Sequence, residues 1–247
     1  MQNAIILAGM QLINNWSDGG NKALLRINGK MMVEYVVDAV RSSDGVGKVV
    51  VIGPEIELNE ILRDKVDAVI GERGSIMENI LAGARYVGFN DNIIICTSDI
   101  PLITSEAIND FIAKSKVLQA DLCYPIVDKR VNDEKFPEIE RTYVKAKEGS
   151  FTGGNIFHVN PNIIEKGLVL AGKLIESRKN ALEMARLFGV NFMLQMSMGV
   201  VSISRAEKKI SRIMKIKVRA VISEYPEIGI DVDKLSDLIV ATAHLSR

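Results

Sequence analysis

The chemistry this sequence offers is concentrated in Asp99, the pair Asp231 and Asp233, and Lys22. Asp99 follows the apolar run Ile93-Ile94-Ile95-Cys96, which breaks into Thr97-Ser98-Asp99 and then Ile100-Pro101. Such a run suits one buried strand and is too short for a buried helix. Pro101 forbids both a continued central strand and an ordinary helix interior. Thr104 or Ser105 can cap the helix that follows, with Glu106 in its first turn. Asp99 is therefore expected at the carboxyl end of a central strand, in the crevice where open α/β sheets bind ligands. A carboxylate held there can take Mg²⁺, which prefers one or two carboxylates plus substrate phosphates. The plainer reading is an Asp that starts a turn and caps backbone N–H groups.

Asp231-Val232-Asp233 stands between a Pro-containing turn and a helical pattern. In an extended segment alternation puts both carboxylates on one side, where two oxygens can share a cation; alternatively Asp233 only caps the last helix. Ile5-Ile6-Leu7-Ala8-Gly9, a polar loop and then Lys22 form a candidate phosphate site. A glycine just past a strand lets backbone N–H groups approach an anion, and a loop lysine adds a point charge. The loop is neither a Walker A motif nor a dinucleotide fingerprint, because the required lysine-serine/threonine step and further glycines are missing.

Three further stretches have two readings each. Asn28-Gly29-Lys30 brings a lysine to a helix entry or simply turns the chain at the surface. Gly71-Glu72-Arg73-Gly74-Ser75 precedes a helix whose free N–H groups can hold a nucleobase carbonyl or phosphate, or Ser75 is a plain N-cap. Gly153 and Gly154, before Asn155, permit close backbone approach to a ligand or only a tight hairpin.

The elements that must position these groups follow from periodicity. Strands are expected at 3–7, 49–52, 68–70 and 93–96, with helices at 31–40, 55–63 and from Ser75, boxed by Glu78, to about 87. This alternation through the first 125 residues argues a doubly wound, mostly parallel sheet with helices on both faces. Residues 10–21 read as a polar loop and 128–140 as an exposed charged excursion. Strands at 142–145 and 155–159 flank a turn at 147–150. Residues 161–214 have a helical pattern broken at Gly172, Gly189 and Gly199. A last strand at 218–222, a turn at 226–229 and a helix at 234–244 close the chain. No linker separates two domains, so residues 1–247 read as one domain whose C-terminal half carries a helical and β insertion on the same sheet.

The chain of 247 residues is long enough to bury a full α/β core. Lys+Arg and Asp+Glu balance at 31 each, so no global field steers it toward nucleic acid or a membrane. Cys96 and Cys123 lie in apolar runs and read as buried thiols of a reducing compartment. His158 and His244 are too far apart in sequence to suggest a zinc cluster with them. The first residues lack the basic and long apolar regions of a signal peptide, and no segment reaches the length of a spanning helix, so a cytoplasmic protein is expected.

Taken in order, Leu7-Ala8-Gly9, Lys22, Asn28-Gly29-Lys30, Ser98-Asp99-Ile100-Pro101-Leu102-Ile103, Thr152-Gly153-Gly154-Asn155 and Asp231-Val232-Asp233-Lys234-Leu235-Ser236-Asp237-Leu238 resemble the MobA-like nucleotidyltransferases. The resemblance runs the length of the chain. It implies a GT-A type, Rossmann-like fold, with residues 1–125 as the nucleotide-binding half and 126–247 as the acceptor-side half. It further implies that Leu7, Ala8, Gly9 and the first loop wrap a nucleoside triphosphate that Lys22 neutralises. Ser98, Gly74 and Ser75 would belong to the nucleotide site, the last two beside the base. Asp99 with one of Asp231 and Asp233 would hold Mg²⁺, and Gly153, Gly154 and Asn155 would line the side of a small-molecule acceptor. Two features depart from the family pattern. Met10 stands where a second glycine is usual, with no arginine before Lys22, and Lys234-Leu235 stands where Thr-Pro is common.

The expectation is a Mg²⁺-dependent transfer of a nucleoside monophosphate to a phosphate or hydroxyl, with pyrophosphate released. Two rivals remain open: a GT-A glycosyltransferase using a nucleotide sugar, and a nucleotide-binding regulatory protein on the same fold, which the altered first loop favours. Neither nucleic acid nor membrane is an expected partner, and a homo-oligomer is compatible with the sequence.

Overall fold

The computed structural model describes residues 1–9, 20–164, 172 and 180–246. The loop expected at 10–21 thus lies outside the described residues except at its end. In chain order the strands are β1 (Gln2–Leu7), β2 (Arg26–Ile27), β3 (Lys30–Met31), β4 (Val46–Gly53), β5 (Ala68–Gly71), β6 (Ile93–Thr97), β7 (Leu122–Asp128), β8 (Val144–Ala146), β9 (Gly149–Gly153), β10 (Ile156–Val159) and β11 (Val218–Ser223). The helices are α1 (Met32–Arg41), α2 (Glu55–Leu62), α3 (Ile76–Val87), α4 (Ser105–Leu118), α5 (Lys129–Lys135), α6 (Ala181–Phe188), α7 (Val190–Ser197), α8 (Ile203–Met214) and α9 (Leu235–His244).

β1 sits inside the parallel half of the main sheet, with Ala4–Leu7 beside Val49–Ile52 of β4 and Ile94–Thr97 of β6. The sheet order β5-β4-β1-β6-β10-β7-β9-β8, with β11 on β7, makes an α/β fold whose sheet is mostly parallel; β10 and β9 run against it. The continuous apolar runs expected for strands covered on both faces are explained by alternation. Ala4, Ile6, Val49, Val51, Ile94 and Cys96 face a core built with α1, α2 and α4. Ile5, Val50, Ile52, Ile93 and Ile95 face the opposite core, which includes Ala84 and Val87 of α3. Burying one such isoleucine contributes about 1.5–3 kcal/mol. After β1 the chain winds outward through β4 and β5, then returns to place β6 on the other side of β1. The order therefore reverses between β1 and β6, and the segments beginning at Ala8 and Ser98 leave the sheet at that switch point.

Three expectations need correction. Residues 128–140 are not simply an exposed excursion. Asp128 caps α5, and Phe136 and Ile139 are buried in a third core with Leu102, Ile230 and Val232. Net charge hid these two apolar anchors, and Lys135 of the same run pairs with the buried Glu227. The turn expected at 147–150 is confined to 147 and 148, and a strand not expected there begins at Gly149: β9 returns along β8, pairing Ala146 with Gly149, then runs along the end of β7. Glycines at both ends of β9 masked its β character. Gly172 is helical rather than a break, whereas Gly189 and Gly199, with φ of 88° and 70°, do separate helices. Among the described residues no helix is long and apolar enough to cross a membrane.

Candidate active site

Asp99 is placed by its neighbours on both sides. Ser98 N–H donates to the Leu7 carbonyl at 3.1 Å, holding the exit of β6 to β1. Beyond it, Ile100, Leu102 and Ile103 are buried, and the Thr104 hydroxyl caps α4 by accepting from Ala107 N–H. The Asp99 carbonyl accepts from Val232 N–H at 2.9 Å, which ties the segment before α9 to the tip of β6. Ile230 and Val232 point into the third core. Alternation then turns Asp231 and Asp233 the other way, and each of the three aspartates offers an oxygen within 4.8 Å of the others.

Lys22 enters the same cluster from the first loop. Asn21 caps the short turn Lys22–Leu24 by accepting from Ala23 N–H, and its amide donates to the Ala8 carbonyl at 2.9 Å. The Lys22 ammonium then lies 2.8 Å from Asp99 Oδ2 and 2.6 Å from Asp233 Oδ1. Burial alone would lower its pKa, but the two carboxylates outweigh burial and hold it above the ordinary lysine value. The same contact keeps Asp233 below the usual carboxylate range despite partial burial. Asp231 behaves differently: burial pushes its pKa up to about 6, against the pull of Arg141, which pairs with it.

The cluster suits a hard divalent cation. Three carboxylates converge, and Asp99 Oδ1 is buried with no hydrogen-bond partner among the described residues. Oxygen ligands of this kind are what Mg²⁺ takes.

Residues 4–182 match the MobA-like NTP transferase domain. The chain belongs to that family. A hypothetical transferase from Thermus thermophilus is 33% identical, with a TM-score of 0.85 over 96% of this chain and 99% of that one. A CMP-2-keto-3-deoxy-manno-octonic acid synthetase solved with CTP has the same fold at 13% identity, with a TM-score of 0.64 over 100% of this chain and 99% of that one. So does 4-diphosphocytidyl-2C-methyl-D-erythritol synthase from Anaerococcus prevotii, at 13% identity and a TM-score of 0.61 over 99% and 96% of the two chains. No match was found among curated protein sequences.

In this MobA-like chain the remaining candidates are held in different ways. Gly9 lies beside the β5–α3 connection: a side chain on it would meet Glu72 and Asn79 at 3.6 Å, an ordinary contact. Gly74 and Ser75 are exposed at the start of α3, where the Ser75 hydroxyl accepts from Glu78 N–H at 3.2 Å. Glu78 takes a hydrogen bond from that hydroxyl instead of reaching the Ser75 backbone, so only half of the expected capping box forms. Asn28 and Gly29, with φ of 49° and 84°, make a hairpin turn between β2 and β3, and Lys30 pairs with Asp38; this is a surface turn.

The glycine pair is packed against protein. A Cβ on Gly153 would fall 1.5 Å from Tyr124 Oη, and one on Gly154 would sit 2.8 Å from Pro125 Cγ and 3.0 Å from the Ile228 carbonyl. Packing alone therefore demands glycine at both. Asn155 is nearer the aspartates in connectivity: its carbonyl accepts from Thr97 N–H at 3.1 Å, and its own N–H donates to Ile228 at 2.9 Å.

Asp233 is not the cap of α9. Lys234 is the N-cap residue, and the Asp237 carboxylate accepts from both Asp233 and Lys234 N–H at 3.0 Å. Sequence reasoning missed Arg141, whose only signal was its place near the end of a charged run.

Proposed function

We propose that this protein transfers a nucleoside monophosphate from a nucleoside triphosphate to a small acceptor, releasing pyrophosphate. The observation that carries the reading is the meeting of Asp99, Asp231, Asp233 and Lys22 at the switch point of the sheet. A Mg²⁺ bound by Asp99 and one or both of the other aspartates would supply a Lewis acid against charge developing on the phosphate oxygens.

The chain's own residues do the rest. Lys22 is held protonated, so it serves as a fixed positive charge beside the triphosphate and not as a proton acceptor. Leu7, Ala8, Gly9 and Ser98 lie where the first loop and β6 leave the sheet, the place for the phosphates. Gly74 and Ser75 lie beyond Glu72 on the side proposed for the base. His158 is buried within β10 and His244 contacts Glu138, so neither histidine stands in the aspartate cluster. A phosphate acceptor, already ionised, requires no such base and is the favoured nucleophile; it attacks the α-phosphorus in line as the pyrophosphate leaves.

We read the chain as one domain, since the sheet passes from the nucleotide half at β6 to the acceptor half through β10 and β7. Asn155 connects to β6 from the acceptor half, and the Gly153-Gly154 backbone shapes that side. Buried free thiols at Cys96 and Cys123 favour a cytoplasmic setting.

The test is a thermal-shift panel of ATP, GTP, CTP and UTP with Mg²⁺, followed by pyrophosphate release with sugar phosphates as acceptors. A native-state ligand at a hundredfold excess over its Kd stabilises by about 2.7 kcal/mol, so the donor should stand apart. Turnover of a nucleotide sugar with no triphosphate turnover would instead make the protein a glycosyltransferase, and binding without either turnover a regulatory protein.

A further inference from the structure

Arg141 holds a position that packing has built. It follows the segment anchored by buried Phe136 and Ile139, whose third core also holds Val232 beside Asp231. Its side chain is 18% exposed and pairs with Asp231, itself 17% exposed. Its Nε is buried and has no acceptor among the described residues. A guanidinium has donors in a planar fork suited to phosphate, and here part of that fork is unused.

The charge balance of the cluster gives this placement a meaning. Lys22 is shared between Asp99 and Asp233, while Arg141 pairs with Asp231. Three carboxylates against two cations leave one net negative charge. Adding a divalent ion with both cations in place would leave one net positive charge beside the largely buried Asp99 and Asp231 side chains, which opposes its entry. A triphosphate arriving with the ion brings the negative charge that both cations can accept.

Resting on the nucleotidyltransferase reading, we propose that Arg141 is a substrate-phosphate residue parked on Asp231. A divalent ion takes up that carboxylate as the guanidinium passes to the phosphate chain, so metal and nucleotide enter together. Arg141 then both withholds the aspartates from metal alone and grips the phosphate once metal is present. This is positive coupling between two ligands, carried by one side chain with two partners.

The test needs neither the base nor the acceptor. Calorimetry with Mn²⁺ alone, and with Mn²⁺ plus inorganic tripolyphosphate, is run on the native protein, Arg141→Gln and Arg141→Lys. Arg141→Gln should bind Mn²⁺ alone about fivefold or more tighter, since the competing cation is gone. It should bind the Mn²⁺–tripolyphosphate pair about tenfold to a hundredfold weaker, as a charged hydrogen-bonding group is lost. Arg141→Lys keeps the charge and loses the fork, so Mn²⁺ alone should bind as in the native protein while the tripolyphosphate is held more weakly.

The two shifts of opposite sign are the signature. Parallel weakening of both ligands in either variant would mean that Arg141 only holds Asp231 in place, and no change in either would make it a bystander; both results overturn the proposal. If Arg141→Gln does not fold, Arg141→Lys decides: unchanged Mn²⁺ binding with weaker tripolyphosphate binding supports the proposal, and parallel weakening of both, or no change in either, overturns it. If the native protein binds neither Mn²⁺–tripolyphosphate nor any nucleoside triphosphate, the nucleotidyltransferase reading falls as well. Native binding with no crossed shifts in Arg141→Gln overturns the Arg141 inference alone.

Discussion

Val232 N–H donates to the Asp99 carbonyl at 2.9 Å, a backbone bond that joins the two halves of the carboxylate cluster that Lys22 bridges by side chain. It fixes the Asp231–Asp233 segment to the end of β6 by backbone, so the link itself uses none of the three carboxylates. The metal ligands proposed from distant parts of the chain thus share a rigid base, which a catalytic constellation needs.

Asp99→Asn should therefore abolish metal-dependent pyrophosphate release while that backbone link survives. Stability should also fall, by about 1–3 kcal/mol, because the Asp99 side chain is only 10% exposed and one partner of the buried Lys22 ammonium is weakened. Asp233 continues to hold Lys22 and limits the loss. Turnover assays and denaturant melts of the same sample check both parts; normal metal-dependent turnover would remove Asp99 from the site.

Asp233 and Asp237 should separate cleanly. Asp237 accepts two backbone N–H groups at the start of α9, so Asp237→Ala should cost about 0.5–2 kcal/mol, the range for a lost cap. Asp233→Asn leaves those bonds intact, so α9 should keep its protection in hydrogen exchange while affinity for a Mg²⁺–triphosphate complex drops. Equal loss of α9 protection in both variants would return Asp233 to a capping role.

Much of this arrangement was legible in sequence because it depends on local rules. The Ile93–Ile95 run, Pro101 and a capping threonine place Asp99 without knowledge of any partner. Alternation through Val232 likewise puts Asp231 and Asp233 together. Arg141 was not legible, since its role rests on a contact with Asp231 that no periodicity encodes. Phe136 and Ile139 were lost for a similar reason: two apolar residues in a charged run become a core only when Ile230 and Val232 arrive from the far end of the chain. The capping reading of Asp233 failed because the cap is supplied from Asp237, one helical turn on.

Gly153→Ala tests whether the glycine pair is needed for packing. Its new methyl would collide with Tyr124, so the variant should lose about 1–3 kcal/mol, the range for overpacking. Combining it with Tyr124→Leu should cost less than the two single changes added together, since the collision is then relieved. Strictly additive melts would show that Tyr124 is not the obstacle. Loss of acceptor turnover in the relieved double variant, with triphosphate binding intact, would assign Gly153 to the acceptor side as well.

His158 makes stability depend on pH. It is 1% exposed in β10, paired in register with Cys123 and Ile94, and neither ring nitrogen has a hydrogen-bond partner among the described residues. Burial, helped by Lys116, lowers its pKa from 6.5 to about 4. The unfolded chain therefore takes up the proton before the folded one does. This contribution is fully present above the unfolded value of 6.5, is lost as pH falls toward 4, and changes little below that. A shift of this size corresponds to roughly 3–3.5 kcal/mol. Denaturant melts of the native protein and His158→Leu between pH 7 and pH 4 isolate the effect. The native protein should lose stability more steeply than the variant across that window, because leucine keeps the apolar contacts and has no proton to bind. Parallel curves would mean that the folded state accommodates a charged imidazole at this position, and that acid sensitivity resides in the carboxylate pairs instead.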